Sequence, residues 1–464
     1  MIKQLAQFKI GPIILGALAF GLSYLLKLNL AIPLILICLV FYLRSRKQNI
    51  KNYSLLNLSL LYLIIFVGSY FIITERSCVL CIPFSIIPML TMLLFNNLEL
   101  ALIMALATSI SIASIANNSF GLFLLSMVSS ALAIIVVKDA RKRTNIISSG
   151  LIIGIGQVIT LILLDHFWIG QPKRYVILLV NGVASSIIVL GISPIFEYLF
   201  KTVTNISLLE LADFNHPLLQ RMTLEAPGTY HHSLVVGNLS ESACRAVGAN
   251  ALLARIGAYY HDIGKLQKPE YYSENQELAE NKHATLAPTM SKLIIMNHVK
   301  EGVELAEKYK LSPVIIDFIL QHHGNSLVYY FYRRALENLE DDEEVKEEGF
   351  RYPGPKPNTK ETAIVLLADS VEAATRALND PAPSKIEEVV HQVINNKFID
   401  GQLDECDLAL KDLERISAVF IRILTGIYHS RISYPEGPKS AENNHKKSSK
   451  EDPHLSVKDK NNSS

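Results

Sequence analysis

The first 205 residues contain up to eight stretches that are apolar almost throughout, near 8–26, 28–43, 55–74, 78–95, 98–116, 120–137, 146–164 and 175–199. A helix needs ~20 apolar residues to cross a hydrocarbon core. In lipid, every backbone polar group must also be satisfied within the protein. This half is therefore expected to be a bundle of transmembrane helices. The 28–43 stretch is short and contains Pro33, so it is the weakest of the eight as a separate span. Eight stretches are too many, and run too late in the chain, for a cleaved leader.

Charge divides the chain at the same place. Residues 1–205 hold 15 Lys/Arg against 5 Asp/Glu, and residues 206–464 hold 29 against 38, so net charges of +10 and −9 lie behind the overall +1. With the N-terminus inside, one set of loops carries Lys3, Lys9, Arg44, Arg46, Lys47, Lys51, Lys138, Arg141, Lys142, Arg143 and Lys201, and the other only Lys27, Arg76, Lys173 and Arg174. The positive-inside bias then places the C-terminal half in the cytoplasm, on the inner membrane of a multi-pass protein. An acidic soluble half repels a phosphate backbone, so no nucleic-acid polymer is expected as a partner. The lipid bilayer is the first expected partner, and a homodimer is left open.

The spans contain no array of Asp, Glu and Lys of the kind an ion path needs, which argues against a pump. Asn57, Thr91, Thr108, Gln157 and Asn181 are expected to hydrogen-bond between helices. Cys78 and Cys81 form a Cys-x-x-Cys that opens either a redox role or a plain helix start. Cys244 and Cys406 stand alone, as in a reducing compartment.

Residues 206–435 show helical periodicity. Helices are expected from Thr229, as N-cap, to Val247; over 251–262, stopping at Gly264; from Ser312-Pro313 to His322-His323; after Thr359; and over 408–430. The stretch 337–349, with eight acids and one lysine, reads as a solvated loop. Residues 436–464 are polar and are expected to be disordered.

Seven residues of this half have ligand chemistry and fall at helix ends or on an apolar helix: His232, His261, Asp262, His298, His322, His323 and Asp369. Imidazole and carboxylate suit divalent iron or manganese. Seven such groups around two ions leave coordination positions for water and a phosphate. In Tyr-His-Asp-Ile-Gly-Lys, His261 and Asp262 close a helix, Gly264 lets the chain turn, and Lys265 emerges beside the site. In Thr-Tyr-His-His-Ser, either His231 or His232 could ligate. His298 is read as beginning a helix. Asp369 sits in Val-Leu-Leu-Ala-Asp-Ser-Val-Glu, where an unpaired carboxylate would be costly. His283, His391 and His429 fit no such frame. The aromatics at 329–332 suit either base stacking or core packing.

The order H…HD…H…HH…D resembles the signature of the HD-domain phosphohydrolases. The strings EAPGTYHHSLVVGNL, GAYYHDIGKL, NHVKEGVELA, FILQHHGNSLVYYFY, RYPGPKPNTKETAIVLLADSVEAATR and GQLDECDL are similar to one branch, the seven-transmembrane HD hydrolases (PgpH-like cyclic di-AMP phosphodiesterases). His323 is followed by Gly324-Asn325-Ser326, unlike the Gly-Tyr-Pro of the cyclic di-GMP branch. The resemblance implies metal ligation by His232, His261, Asp262, His298, His322, His323 and Asp369, with Asp262 bridging. Family members carry a large extracytoplasmic domain after their first span; here a few polar residues around Lys27 join the first two.

The expected architecture is all-α: a transmembrane domain over 1–205, a cytoplasmic HD phosphohydrolase domain over 206–435 and a polar tail over 436–464. The expected activity is a binuclear-metal phosphodiesterase taking a cyclic dinucleotide, cyclic di-AMP, to linear pApA. Two divalent transition-metal ions, Mn or Fe, would serve as cofactors, with Asp262 and Lys265 as catalytic groups. The alternatives are another cyclic dinucleotide or nucleotide as substrate, or a nucleotide-sensing receptor without turnover.

Overall fold

The computed structural model describes residues 79–428, apart from 139, 167–170, 277–281 and 338–344, with six further positions between 62 and 71. The expected spans at 8–26 and 28–43, most of that at 55–74, Cys38, Cys78, His429 and the tail lie outside the described residues.

The membrane half contains α1 (Ile86–Phe95), α2 (Leu98–Ile115), α3 (Phe120–Val137), α4 (Arg143–Leu164) and α5 (Pro172–Phe200). Helices α2 to α5 are each long and apolar enough to cross a membrane. Hydropathy places such helices well because length and apolarity are the physical requirement. On α4 the exposed apolar residues Ile147, Leu151, Ile155, Ile159 and Leu163 recur every fourth position, as a lipid-facing stripe does.

The 78–95 stretch differs from a continuous span. The chain makes a 3-10 turn at Val79–Cys81, passes Pro83 and starts α1 only at Ile86. Non-helical backbone among membrane helices must find partners within the protein. Asn181 on α5 supplies them, its Nδ2 donating to the carbonyls of Leu80 and Ile82 at 3.0 and 2.7 Å. Gln157 on α4 donates to Ser129 Oγ and Asn181 Oδ1. Gln157 and Asn181 thus bond between helices as expected. Thr91 and Thr108 do not: their hydroxyls return to the carbonyls of Ile87 and Met104, one turn back in their own helices. A short β-hydroxyl reaches its own backbone more readily than a neighbouring helix.

Helices α4 and α5 touch backbone to backbone. A Cβ on Gly182 would stand 2.4 Å from the Gly150 carbonyl oxygen and the Gly154 nitrogen. Small residues one turn apart allow the close approach that dispersion needs where no hydrophobic effect drives association.

The chain leaves the membrane helices at Lys201, which caps α5 in the left-handed region. Glu197 accepts hydrogen bonds from Thr204 and Ser207, both at 2.7 Å, and so ties α5 to α6 (Asn205–Leu211). Arg143 at the start of α4 pairs with Glu210 of α6.

The remaining helices are α7 (Pro217–Glu225), α8 (Pro227–Val247), α9 (Ala251–Tyr260), α10 (Pro288–Lys308), α11 (Pro313–Gln321), α12 (Tyr329–Glu337), α13 (Lys360–Arg376), α14 (Pro383–Ile399) and α15 (Leu410–Tyr428). Among the described residues the β pairing is one isolated bridge, Leu327 to Arg351. Helix α13 is the hub. Every residue from Thr362 to Asp369 is buried, and the helix packs on α8, α9, α11, α14 and α15. Thr359 caps it in a reciprocal capping box with Thr362.

Three expected helix boundaries shift. Helix α8 starts at Pro227, so Thr229 lies in its first turn, with its hydroxyl on Glu274. Helix α9 ends at Tyr260 and a 3-10 turn, Ile263–Gln267, follows. His298 stands in the middle of α10 rather than at its start.

Gly182→Ala should force α4 and α5 apart and lower the thermal unfolding midpoint in detergent, at a cost of about 1–3 kcal/mol for overpacking. Gly191→Ala on the same helix meets nothing within 4 Å and should leave the midpoint in place. Equal midpoints for the two variants would contradict the packing argument.

Candidate metal centre

Five helices converge on one buried point. Helix α8 carries His232, the end of α9 carries His261 and then Asp262, α10 carries His298, the end of α11 carries His322 and His323, and α13 carries Asp369. All but His323 are buried, and the His323 side chain is 22% exposed. His231 faces outward, because adjacent helical residues point about 100° apart.

Asp262 joins two groups of histidines. Its Oδ1 faces Nε2 of His298 and of His322, at 3.4 and 3.5 Å. Its Oδ2 faces Nε2 of His261 and of His232, at 3.1 and 3.6 Å. Asp369 closes the second group, with Oδ1 at 3.1 Å from His232 and 3.8 Å from His261, and its Oδ2 lies 3.5 Å from His323 Nδ1. Two four-residue sets result, Asp262 with His298, His322 and His323, and Asp262 with His232, His261 and Asp369; within each, the ligand atoms lie within 4.8 Å of one another. Asp262 belongs to both.

Second nitrogens fix the ring orientations. His261, His298 and His322 each donate Nδ1–H to a carbonyl one turn back, those of Ala258, Ile295 and Ile319 at 2.6, 2.5 and 2.8 Å. This selects the tautomer whose Nε2 lone pair points inward. His232 is held instead by Glu372, whose Oε2 accepts from Nδ1 at 2.6 Å. Glu372 stands one turn beyond Asp369 on α13 and is paired in turn with Arg376. The sequence contained a signal for it, an acid at i+3 from Asp369 on an otherwise apolar helix, on the same face.

The electrostatics call for cations. Burial works against Asp262 as an anion, yet His261 and Lys265 hold its carboxyl well below the usual range. Burial opposes ionisation of His261 too, but the Asp262 charge wins and raises it to about 10. Burial pushes His298 down to about 4 and His323 well below its usual value, so both stay neutral donors. His232 Nε2, His261 Nε2 and Asp262 Oδ1 are buried without a hydrogen-bond partner. Buried polar atoms without partners are costly; the two nitrogens lie on the Oδ2 side of Asp262 and Oδ1 on the His298 and His322 side, and a divalent cation on each side would satisfy them. The donor set, imidazole nitrogen and carboxylate oxygen, fits two such ions.

Lys265 sits at the edge of the cluster. Its ammonium is 2.8 Å from Asp262 Oδ2 and 2.7 Å from Glu274 Oε1, above the ring of Tyr272. Glu274 was not legible in the sequence, because the fold of the 3-10 turns brings it here. Gly264 is needed for proximity, not for a turn: a Cβ there would fall 1.8 Å from the His298 carbonyl oxygen. That contact lets the turn carrying Asp262 lie against α10. The Tyr352 ring packs at a tilt of 30° against His323, with ring centroids 4.3 Å apart. Of the aromatics at 329–332, Phe331 is core, while Tyr329 and Tyr330 are exposed. His391 is exposed and His283 bonds the Tyr271 carbonyl, both away from the cluster.

Residues 22–204 match the family described as "7TM receptor with intracellular HD hydrolase", and residues 229–374 match the HD domain. The chain is 39% identical to the cyclic-di-AMP phosphodiesterase PgpH of Bacillus subtilis (strain 168), over 89% of this chain and 60% of that protein. It is 36% identical to the protein of the same name from Listeria monocytogenes serotype 1/2a, over 88% of this chain and 58% of that protein. The chain thus spans about 60% of the length of these relatives. A solved HD domain of L. monocytogenes PgpH, in complex with cyclic-di-AMP, is 47% identical across 47% of this chain and 100% of that chain, with a TM-score of 0.44.

Glu372→Ala should weaken metal binding by about 10-fold or more, the range for losing an outer partner of a ligating histidine. His231→Ala should leave it unchanged. Metal titration of the purified full chain checks both, and equal retention in the two variants would remove Glu372 from the centre.

Proposed function

We propose that this protein is a membrane-anchored phosphodiesterase that hydrolyses cyclic di-AMP to linear pApA and so sets the level of a second messenger. The observation that carries the reading is Asp262, one carboxylate whose two oxygens address two separate histidine groups. The cyclic-di-AMP phosphodiesterase activity for which the relatives are named supports cyclic di-AMP as the substrate.

In this reading His232, His261 and Asp369 would hold one divalent ion and His298, His322 and His323 the other, with Asp262 available to both. Mn or Fe suits the donors. Two divalent ions would supply Lewis acidity towards water and phosphoryl oxygens. The chain's own residues do the rest. Backbone carbonyls lock three histidines in the ligating tautomer, and Glu372 locks the fourth. Burial removes competing water, which strengthens each charge interaction. Lys265, at Asp262 Oδ2, turns part of its charge towards a phosphoryl oxygen. Water oxygen bonds to phosphorus, the P–O3′ bond breaks, and the departing 3′-oxygen takes a proton. One ring opening leaves a 5′-phosphate and a 3′-hydroxyl.

The same reading sets the site in the cytoplasm on the inner membrane. Lys138, Arg141, Lys142, Arg143 and Lys201 lie at the ends of α3, α4 and α5 from which the soluble helices continue. The positive-inside bias supports that side.

Full-length protein in detergent, loaded with Mn or Fe, should convert cyclic di-AMP to pApA and favour it over cyclic di-GMP in product analysis. Asp262→Asn should lower turnover by roughly a thousandfold, about 4 kcal/mol at the transition state, with loss of bound metal. A folded Asp262→Asn protein that keeps its rate and its metal would refute the site.

A further inference from the structure

The centre has two lysines near it, and their surroundings differ. Lys265 sits between two carboxylates: Asp262 and Glu274 both lie within 2.8 Å of its ammonium. Lys397, on α14, is the opposite case. Its ammonium donates to Ser326 Oγ at 2.7 Å, and among the described residues it makes no ion pair. Its two closest candidates are taken or set back. Asp400 is bound by Arg351 at 2.9 Å, and Asp369 faces the histidines.

Lys397 is placed by the same turn that presents His323. Ser326 N–H donates to the His323 carbonyl at 3.0 Å, Ser326 O accepts from Tyr352 N–H at 3.0 Å, and the Tyr352 ring packs against His323. The ammonium is therefore held on the turn that follows His323, on other partners than the Asp262 oxygen that Lys265 contacts. Burial holds its pKa below the usual lysine value, and the charges of Asp369 and Asp400 offset this only in part. A half-buried cation whose one partner is a hydroxyl is under-compensated, and an anion arriving there gains a charge-assisted hydrogen bond.

We propose that Lys397, with Ser326, binds the second phosphodiester of a cyclic dinucleotide, the one that is not being cleaved. This rests on the phosphodiesterase reading and sharpens it. A cyclic dinucleotide carries two phosphodiesters, and the metal centre takes one. The other needs a cation outside the ligand cluster, and Lys397 is a cation there without a carboxylate partner. A substrate with a single phosphate gains nothing from it. Lys397 is thus a substrate-binding residue that selects for a second phosphate.

The test uses full-length protein in detergent, wild type, Lys397→Met and Lys397→Arg, with metal content measured in each. Steady-state constants are taken on cyclic di-AMP and on bis(p-nitrophenyl) phosphate, a diester with one phosphate. For Lys397→Met, KM for cyclic di-AMP should rise at least about tenfold more than KM for the small diester. kcat should change less than KM, metal content should match wild type, and Lys397→Arg should recover most of the loss. An unchanged KM for cyclic di-AMP in folded, metal-loaded Lys397→Met overturns the proposal, and so does an equal rise for both substrates. A wild type that hydrolyses the small diester but not cyclic di-AMP instead overturns the functional reading, and this proposal with it.

Discussion

Asp262 is a buried carboxylate that faces four imidazoles and an ammonium, and the soluble half is arranged around that constraint. An anion removed from water is tolerable only among compensating charges. Its Oδ1 looks towards His298 and His322 and its Oδ2 towards His232, His261 and Lys265. Each partner comes from a different element, so Asp262 reaches them all only if α8, α9, α10 and α11 end or cross at one point. Gly264 permits this by letting the Asp262 turn approach the backbone of α10. Helix α13 closes the arrangement. Its central residues are buried in the apolar core that surrounds it, and the same helix presents Asp369 and Glu372 to the site. Packing energy thus holds the charged groups in place.

The membrane half follows other rules and meets the soluble half through polar contacts. Helices α4 and α5 lock through Gly150, Gly154 and Gly182, where side chains would prevent contact. The break before α1 persists because Asn181 satisfies its carbonyls. At the exit, Glu197 binds Thr204 and Ser207, and Arg143 binds Glu210. These bonds join α4 and α5 to α6, whose Leu208 enters the core shared with Ile256 and Tyr260 of α9. Helix α9 then leads directly into His261 and Asp262. A short covalent and packed path therefore runs from membrane helices to the centre.

Sequence reasoning reached the parts of this structure that have local causes. Hydropathy and length locate α2 to α5, and Thr359 and Ser312-Pro313 mark helix starts. The seven ligand-type residues stand out because imidazoles and carboxylates are unusual at helix ends and on a buried helix, and the fold brings all seven together. Readings that depended on tertiary partners fared differently. Thr91 and Thr108 bond their own helices, and Gly264 serves a close approach. His298 is mid-helix because α10 begins at Pro288, a first-turn proline that marked its start. Glu274 reaches Lys265 from a turn, and Lys397 reaches Ser326 from α14, and no local pattern encodes either placement.

The central claim is that one carboxylate, Asp262, is shared by two ions. The most direct measurement is metal stoichiometry combined with electron paramagnetic resonance on the Mn-loaded full chain. The account predicts two ions per chain with a spin-coupled signal, as for ions bridged at about 3.5–4 Å, and loss of the coupling in Asp262→Asn. A single ion per chain, or two uncoupled ions unaffected by that substitution, would contradict it.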